Sequence, residues 1–190
     1  MAELPAQSVN MCVTDPPYGM GFQSNWSKSG PRHKPIEGDS AVDPRWVPFA
    51  FDKLRDGGCL LSFCDWRTSD VWRQSIESAG FRIVSQVIWD RKVHGMGDLT
   101  GAFAPMHDII WYAVKGRRKF INGRPKSILS FQRPSPSQDN GHPTCKPVPL
   151  MRSLIEAVAD ATGGGRAGPL HGVWFHGRCV RRVRRPFHWY

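Results

Sequence analysis

The chain has five cysteines and no Cys-x-x-Cys pair, no long apolar run, and 16 acidic residues against 26 basic ones. Each shortage excludes something. The thiols Cys12, Cys59, Cys64, Cys145 and Cys179 are odd in number and widely spaced, which supports neither a disulfide framework nor a zinc site. Reduced thiols and no metal are the expectation. No stretch approaches the roughly 18 apolar residues that a membrane span needs. Glu3 near the N-terminus, with no basic segment ahead of an apolar one, speaks against a secretory signal. These features together predict a cytoplasmic protein that does not enter a membrane.

What is present is enough to build a core. Eight Trp, ten Phe and a hydrophobic fraction of 40% in 190 residues fit one domain and exclude extended disorder. The net charge of +10 is unevenly spread: residues 161–190 hold six Arg and no acid, so that tail supplies +6 of it. A second basic stretch (Lys115, Arg117, Arg118, Lys119, Arg124, Lys126, Arg133) carries no acid either. Such a stretch either tracks a phosphate backbone or is a solvated loop, and charge alone does not choose between them.

Apolar runs alternate with helical spacing. Val9 to Thr14 reads as a buried strand that ends at Asp15-Pro16-Pro17-Tyr18-Gly19. Residues 19 to 40 read as a polar surface loop. Trp46, Val47, Phe49, Ala50 and Leu54 fall at helical spacing after Asp43-Pro44, with Asp56-Gly57-Gly58 as the stop. Cys59 to Cys64 is a second strand, Trp66 to Ala79 a helix closed by Gly80, and Phe81 to Trp89 and Asp108 to Val114 are further strands. Residues 115 to 146 read as a loop or small lobe outside the sheet, and Pro147 to Ala159 as a last helix through Leu150, Leu154, Ile155 and Val158. The pattern predicts an α/β fold, a largely parallel sheet covered by helices on both faces, with binding chemistry at the strand ends.

Asp15-Pro16-Pro17-Tyr18 is the most informative tetrapeptide, because it places a carboxylate, two rigid prolines and a planar ring at a strand end. The lone pair of a base amino group is delocalised into its ring. The nitrogen becomes a useful nucleophile once acceptors hold its hydrogens, and the Asp15 carboxylate and the Pro16 carbonyl could supply two. Tyr18 offers a face for an extruded base. The plainer alternative is a turn in which Asp15 caps the next helix and Tyr18 packs on the core.

Here the sequence resembles a known family, the S-adenosylmethionine-dependent DNA amino-methyltransferases that modify adenine N6 or cytosine N4. The resemblance rests on Thr14-Asp15-Pro16-Pro17-Tyr18-Gly19 and on His142-Pro143-Thr144-Cys145-Lys146-Pro147 leading into Leu154-Ile155-Glu156. Gly57-Gly58, Gly80-Phe81, Trp89 and Lys115-Gly116 fit between them, so it spans roughly residues 5 to 160. It implies a Rossmann-like methyltransferase sheet, circularly permuted so that the cofactor's glycine loop comes last. It implies a catalytic domain over residues 1–160, with 115–141 as a basic loop or small recognition lobe. It also implies that Asp15 and Pro16, fixed by Pro17, hold the target amino group and that Tyr18 stacks on the flipped base. Thr14, Asp15, Thr144, Lys146 and Pro147 would line the cofactor side. S-adenosylmethionine and double-stranded DNA would be the partners, and Asp at the first motif position favours adenine over cytosine.

The resemblance breaks after the last helix, where the family continues with a strand, an acidic residue and a Phe-x-Gly-x-Gly loop. This chain has Gly163-Gly164-Gly165-Arg166 and then an Arg-, His- and Trp-rich tail with no clear strand or helix period. Reading the codons one base forward forces glycine at positions 174 and 189, where Trp stands now. Permitted codon choices then re-read Arg166 to Val180 as Val-Leu-Asp-Pro-Phe-Met-Gly-Ser-Gly-Ser-Thr-Gly-Val-Ala-Cys. That string is the missing loop, so a one-base shift between about Ala161 and Arg166 is expected, with an aberrant tail over 161–190 that leaves the sheet incomplete and packs poorly. Three readings stand side by side: an adenine-N6 or cytosine-N4 DNA methyltransferase, inactive in this form if the loop is lost; a non-catalytic basic nucleic-acid-binding remnant; and methylation of another amino or amide group in RNA or protein.

Overall fold

In the computed structural model, residues 4–19, 40–95, 98–120, 123–133 and 146–159 are described in full, and 172–176 and 179–183 by their backbone alone. The order is β1 (Val9–Asp15), α1 (Val47–Lys53), β2 (Leu54–Cys64), α2 (Ser69–Ser78), β3 (Arg82–Asp90), β4 (His107–Val114), β5 (Ile128–Ser130), α3 (Val148–Ala159), β6 (Gly172–His176) and β7 (Cys179–Val183). One sheet joins all seven strands in the order β5-β3-β4-β2-β1-β6-β7.

The sheet is mixed where a largely parallel one was expected. β1 runs parallel to β2 and β6, and β3 parallel to β5, but β4 is antiparallel to both β2 and β3. The cause lies in the connection. Residues 91 to 106 offer no helical spacing to carry the chain back across a face, so β4 returns beside β3 in the opposite sense. Arg91 N–H to the Met106 carbonyl (2.9 Å) and Gly95 N–H to the Pro105 carbonyl (2.8 Å) tie the two arms of that connection.

Side-chain alternation builds two cores. Met11 and Val13 of β1, Cys59, Leu61 and Phe63 of β2, and Ile110, Tyr112 and Val114 of β4 face one side, where Leu150, Met151, Leu154, Ile155 and Val158 of α3 cover them. Cys12, Leu60, Cys64, Ile109, Trp111 and Ala113 face the other side, under Val47, Ala50, Trp72 and Ile76 of α1 and α2. Helices on both faces are thus present as expected. Phe49, counted on the apolar face of the first helix, is 61% exposed, because α1 is only seven residues long and Leu54 already begins β2. Gly80 ends α2 as expected: at φ +101° it lets Phe81 N–H reach the Ile76 carbonyl (3.3 Å), a six-residue closure that a Cβ would strain.

Two expectations about segments outside the sheet are corrected. Within 115 to 146, Ile128–Ser130 pairs with Ile88–Asp90 as β5, where Trp89 Nε1 also donates to the Phe131 carbonyl (2.8 Å). A three-residue strand is too short to announce itself by period. The tail, expected to leave the sheet incomplete and read as having no strand period, instead adds β6 against β1 and β7 against β6 to the sheet. The open edge of β1 needs hydrogen-bond partners, and the run Val173-Trp174-Phe175 has the composition of a strand. The loop at 20–39, the first four residues of the hexapeptide (142–145) and the triple glycine at 163–165 lie outside the described residues.

Candidate active site

Asp15 continues the odd-numbered row of β1. Met11, Val13 and Asp15 therefore share the face covered by α3, and the carboxylate meets the residues that lead into that helix. Pro147 stands immediately before α3, whose buried Leu150, Met151 and Leu154 fix its approach to the sheet, and this brings Lys146 to the end of β1.

The result is a closed polar network. Lys146 Nζ lies 2.9 Å from Asp15 Oδ2, with both side chains 7% exposed. Tyr18 Oη donates to Asp15 Oδ1 at 2.6 Å, and Lys146 Nζ donates to Tyr18 Oη at 3.2 Å. Three rings surround the ammonium, with centroids at 5.0 Å (Phe63), 5.6 Å (Tyr18) and 5.9 Å (Trp89). Burial, then the neighbouring Asp15 charge, pushes the Tyr18 phenol well above its usual pKa of 10.0, so it stays protonated and donates. An ionised carboxylate, a neutral phenol and a cation stabilised by π faces therefore converge at one strand end. Pro16 is buried beside them and Pro17 is half-buried.

The turn that follows is tight. Gly19 has φ +74°, and a Cβ there would lie 2.3 Å from the Val42 amide nitrogen, so glycine is required to carry the chain away from the corner.

The sequence-derived site residues divide clearly. Asp15, Pro16, Pro17, Tyr18, Lys146 and Pro147 come together at the C-terminal end of β1. Thr14 is in β1 opposite Ser62 and only 2% exposed. Thr144 falls outside the described residues. Lys146, expected on the cofactor side, has its ammonium on Asp15. Phe63 and Trp89 went unassigned, although the odd-numbered row shared by Leu61 and Phe63 was a signal that Phe63 faces α3.

The first residues of the basic stretch, Lys115 to Arg118, lie at the other end of the sheet, whereas Arg133 N–H donates to the Arg91 carbonyl just past β3, at the same end as Asp15. Lys115 Nζ donates to the carbonyls of Phe51 (2.7 Å) and Leu54 (2.8 Å), and Arg118 donates to those of Gly57 and Val158. Lys115 thus ties the end of α1 to the start of β2, and Arg118 ties β2 to the end of α3, so these two cations are engaged within the protein rather than free in a solvated loop. Among the described residues, no three His, Cys, Asp or Glu side chains group as metal ligands, and no helix is long and apolar enough to cross a membrane.

A sheet flanked by helices on both faces, with an acceptor carboxylate, prolines and a tyrosine at a strand end, defines an α/β protein of the methyltransferase type. The chain belongs to the N6/N4 DNA methylase family, whose match covers residues 9–163. It is 26% identical over 161 residues to YubD of Escherichia coli (strain K12), named as a methylase, covering 83% of this chain and 65% of that protein. Its fold resembles the crystal structure of M1.HpyAVI in complex with SAM (TM-score 0.53, 18% identity, 81% of this chain and 66% of that one). M1.HpyAVI without that ligand in its description matches equally (TM-score 0.54, 17% identity, 81% and 65%). The chain thus spans about 65% of the length of these relatives.

Proposed function

We propose that this chain carries the catalytic domain of an S-adenosylmethionine-dependent DNA methyltransferase that modifies the N6 amino group of an adenine flipped out of double-stranded DNA. The observation that carries the reading is the Asp15 carboxylate, buried at the end of β1 beside Pro16, Pro17 and Tyr18. The corner also suits the cofactor. A sulfonium is drawn to carboxylate and π surfaces, and Asp15, Tyr18, Phe63 and Trp89 supply both at this strand end, where they also stabilise the Lys146 ammonium.

Asp15 would accept a hydrogen bond from the target amino group, and the Pro16 carbonyl a second, freeing the nitrogen lone pair for attack. The Tyr18 ring would hold the extruded base by stacking, its hydroxyl remaining on Asp15 or passing to the base. S-adenosylmethionine, when bound, would supply an electrophilic methyl group and leave as a neutral sulfide. As its new bond to carbon forms, the nitrogen would give up one proton to the Asp15 carboxylate that holds it, which would pass it on to solvent. Thr14, Thr144 and Pro147 are the remaining residues proposed for the cofactor side. The choice of adenine N6 over cytosine N4 rests on Asp, rather than Ser, at the first motif position.

The glycine loop of the cofactor site is proposed to be lost through a one-base shift of the coding sequence. In the forward re-reading, Val-Leu-Asp would begin at position 166 and Gly-Ser-Gly-Ser-Thr would fall on 172 to 176, the positions that β6 now occupies beside β1. Restoring that frame is therefore part of the test. The chain and its frame-restored counterpart are incubated with methyl-labelled S-adenosylmethionine and double-stranded DNA, and the nucleosides are separated. Label in N6-methyl-2′-deoxyadenosine supports the reading. Label in N4-methylcytosine corrects the base, and no label from either chain overturns the activity.

A further inference from the structure

A buried ammonium is costly unless it is paired, and Lys146 is paired completely enough to suggest a task. Its Nζ lies 2.9 Å from Oδ2 of Asp15, while Tyr18 Oη donates to Oδ1 at 2.6 Å. A second N–H of Lys146 donates to Tyr18 Oη at 3.2 Å, closing a three-membered ring of polar groups. The carboxylate is thereby held at both oxygens, so it cannot turn about its terminal bond without breaking a charged contact.

The position of the ammonium is set by the fold. Pro147 and the buried first turn of α3, Leu150 and Met151, seat Lys146 against the sheet, and the rings of Phe63 and Trp89 close around it. Docking of α3 and orientation of Asp15 are thus one event. Among the described residues, the other titratable groups whose charge reaches Tyr18 at this corner are Cys64 of β2 and Asp108 of β4, the last facing Arg91 at 3.5 Å.

We propose that Lys146 is a positioning residue for Asp15 rather than a cofactor ligand: its ammonium keeps the carboxylate ionised and aims it for accepting from the substrate amino group. This rests on the methyltransferase reading above, but its test does not require turnover. The buried pair itself can be titrated.

Carboxyl carbons of aspartate are labelled with 13C in the full chain, and the Asp15 resonance, assigned by its loss in Asp15→Asn, is followed against pH. Removing a cation in contact raises a carboxyl midpoint by about 1 to 3 pH units. Lys146→Met and the uncharged hydrogen-bonding variant Lys146→Gln should both raise the Asp15 midpoint by at least about one unit, whereas Lys146→Arg should leave it near the wild-type value. Lys146→Gln keeps the test decisive if Lys146→Met does not fold. An Asp15 midpoint that stays in place in the folded variant overturns the proposal.

In a chain with measurable transfer, the same substitutions should lower kcat by at least about tenfold, move the acid limb of the kcat profile to higher pH and leave KM for S-adenosylmethionine within threefold. A raised KM with kcat and the acid limb unchanged would assign Lys146 to the cofactor and overturn the proposal. A shifted Asp15 midpoint in a protein that methylates nothing, even with its frame restored, would instead overturn the methyltransferase reading and leave the ion pair standing.

Discussion

Asp15 and Lys146 are 131 positions apart in the chain, yet their charged atoms lie 2.9 Å apart, and each side chain is 7% exposed. Substituting one therefore strands the other. Asp15→Ala should abolish methyl transfer and also cost about 3 to 5 kcal/mol of stability, because the ammonium is left buried without its counter-ion. Asp15→Asn keeps the shape and one acceptor oxygen, so it should lose about 100-fold or more in kcat with a smaller loss of stability. DNA affinity should stay within a few-fold in both, measured by anisotropy of a labelled duplex. Turnover near wild type in Asp15→Asn would remove the carboxylate from its assigned role.

The basic residue that follows β4 carries a different expectation. Lys115 Nζ bonds two backbone carbonyls, Phe51 and Leu54, at 2.7 and 2.8 Å, at the end of the sheet away from Asp15. Hydrogen bonds to a charged group contribute about 1.5 to 3 kcal/mol each. Lys115→Met removes two such bonds and should accordingly lower the unfolding free energy by about 3 kcal/mol or more and leave the salt dependence of DNA binding unchanged. A flatter slope of log Kd against log salt, with unchanged stability, would place Lys115 on the phosphate backbone instead.

Much of this architecture was legible because period 2 and period 3.6 are local properties. β1, β4, α2 and α3 lie within a residue or three of where the spacing puts them, and Asp15, Pro16 and Tyr18 stand at the strand end that the apolar run requires. Strand direction was not legible, since the sense of β4 depends on how residues 91 to 106 turn. The pairing of Lys146 with Asp15 was equally hidden. It follows from parity on β1 together with the docking of α3 across the sheet, a long-range relationship that no spacing records. The carbonyl contacts of Lys115 and Arg118 were hidden for the same reason: a run of positive charge says nothing about which carbonyls lie beneath it.

The tail yields a binding prediction. β6 and β7 complete the sheet beside β1, although their sequence lacks the glycine loop that the family places there. Backbone pairing tolerates many sequences, whereas a loop that approaches a cofactor closely needs glycine at set positions. Calorimetry should therefore detect S-adenosylmethionine binding by the frame-restored chain and at least about tenfold weaker binding by this one. Equal affinities would mean that the Arg-rich tail is a working alternative and that no frame was lost.

The buried thiols make stability sensitive to alkali. Desolvation pushes Cys59 from 9.0 to about 11 and Cys64 to about 12, the latter helped by Asp65 and Asp108, and it raises Cys12 further still. All three are buried and unpaired by disulfide. An acid whose native pKa is raised keeps its proton in the folded state while the unfolded chain releases it, so the stabilisation is full below about pH 9. It is lost as pH climbs through the native values. At about 1.4 kcal/mol per pH unit of difference, Cys59 alone withdraws about 3 kcal/mol by pH 11. The urea midpoint should thus hold steady from pH 7 to 8.5 and fall steeply between 9 and 11. Iodoacetamide at pH 8.5, read by peptide mass spectrometry, should label Cys12, Cys59 and Cys64 far more slowly in the native protein than in guanidinium. Labelling of the native protein at the denatured rate would place these thiols in solvent and contradict the core that α1, α2 and α3 close over the sheet.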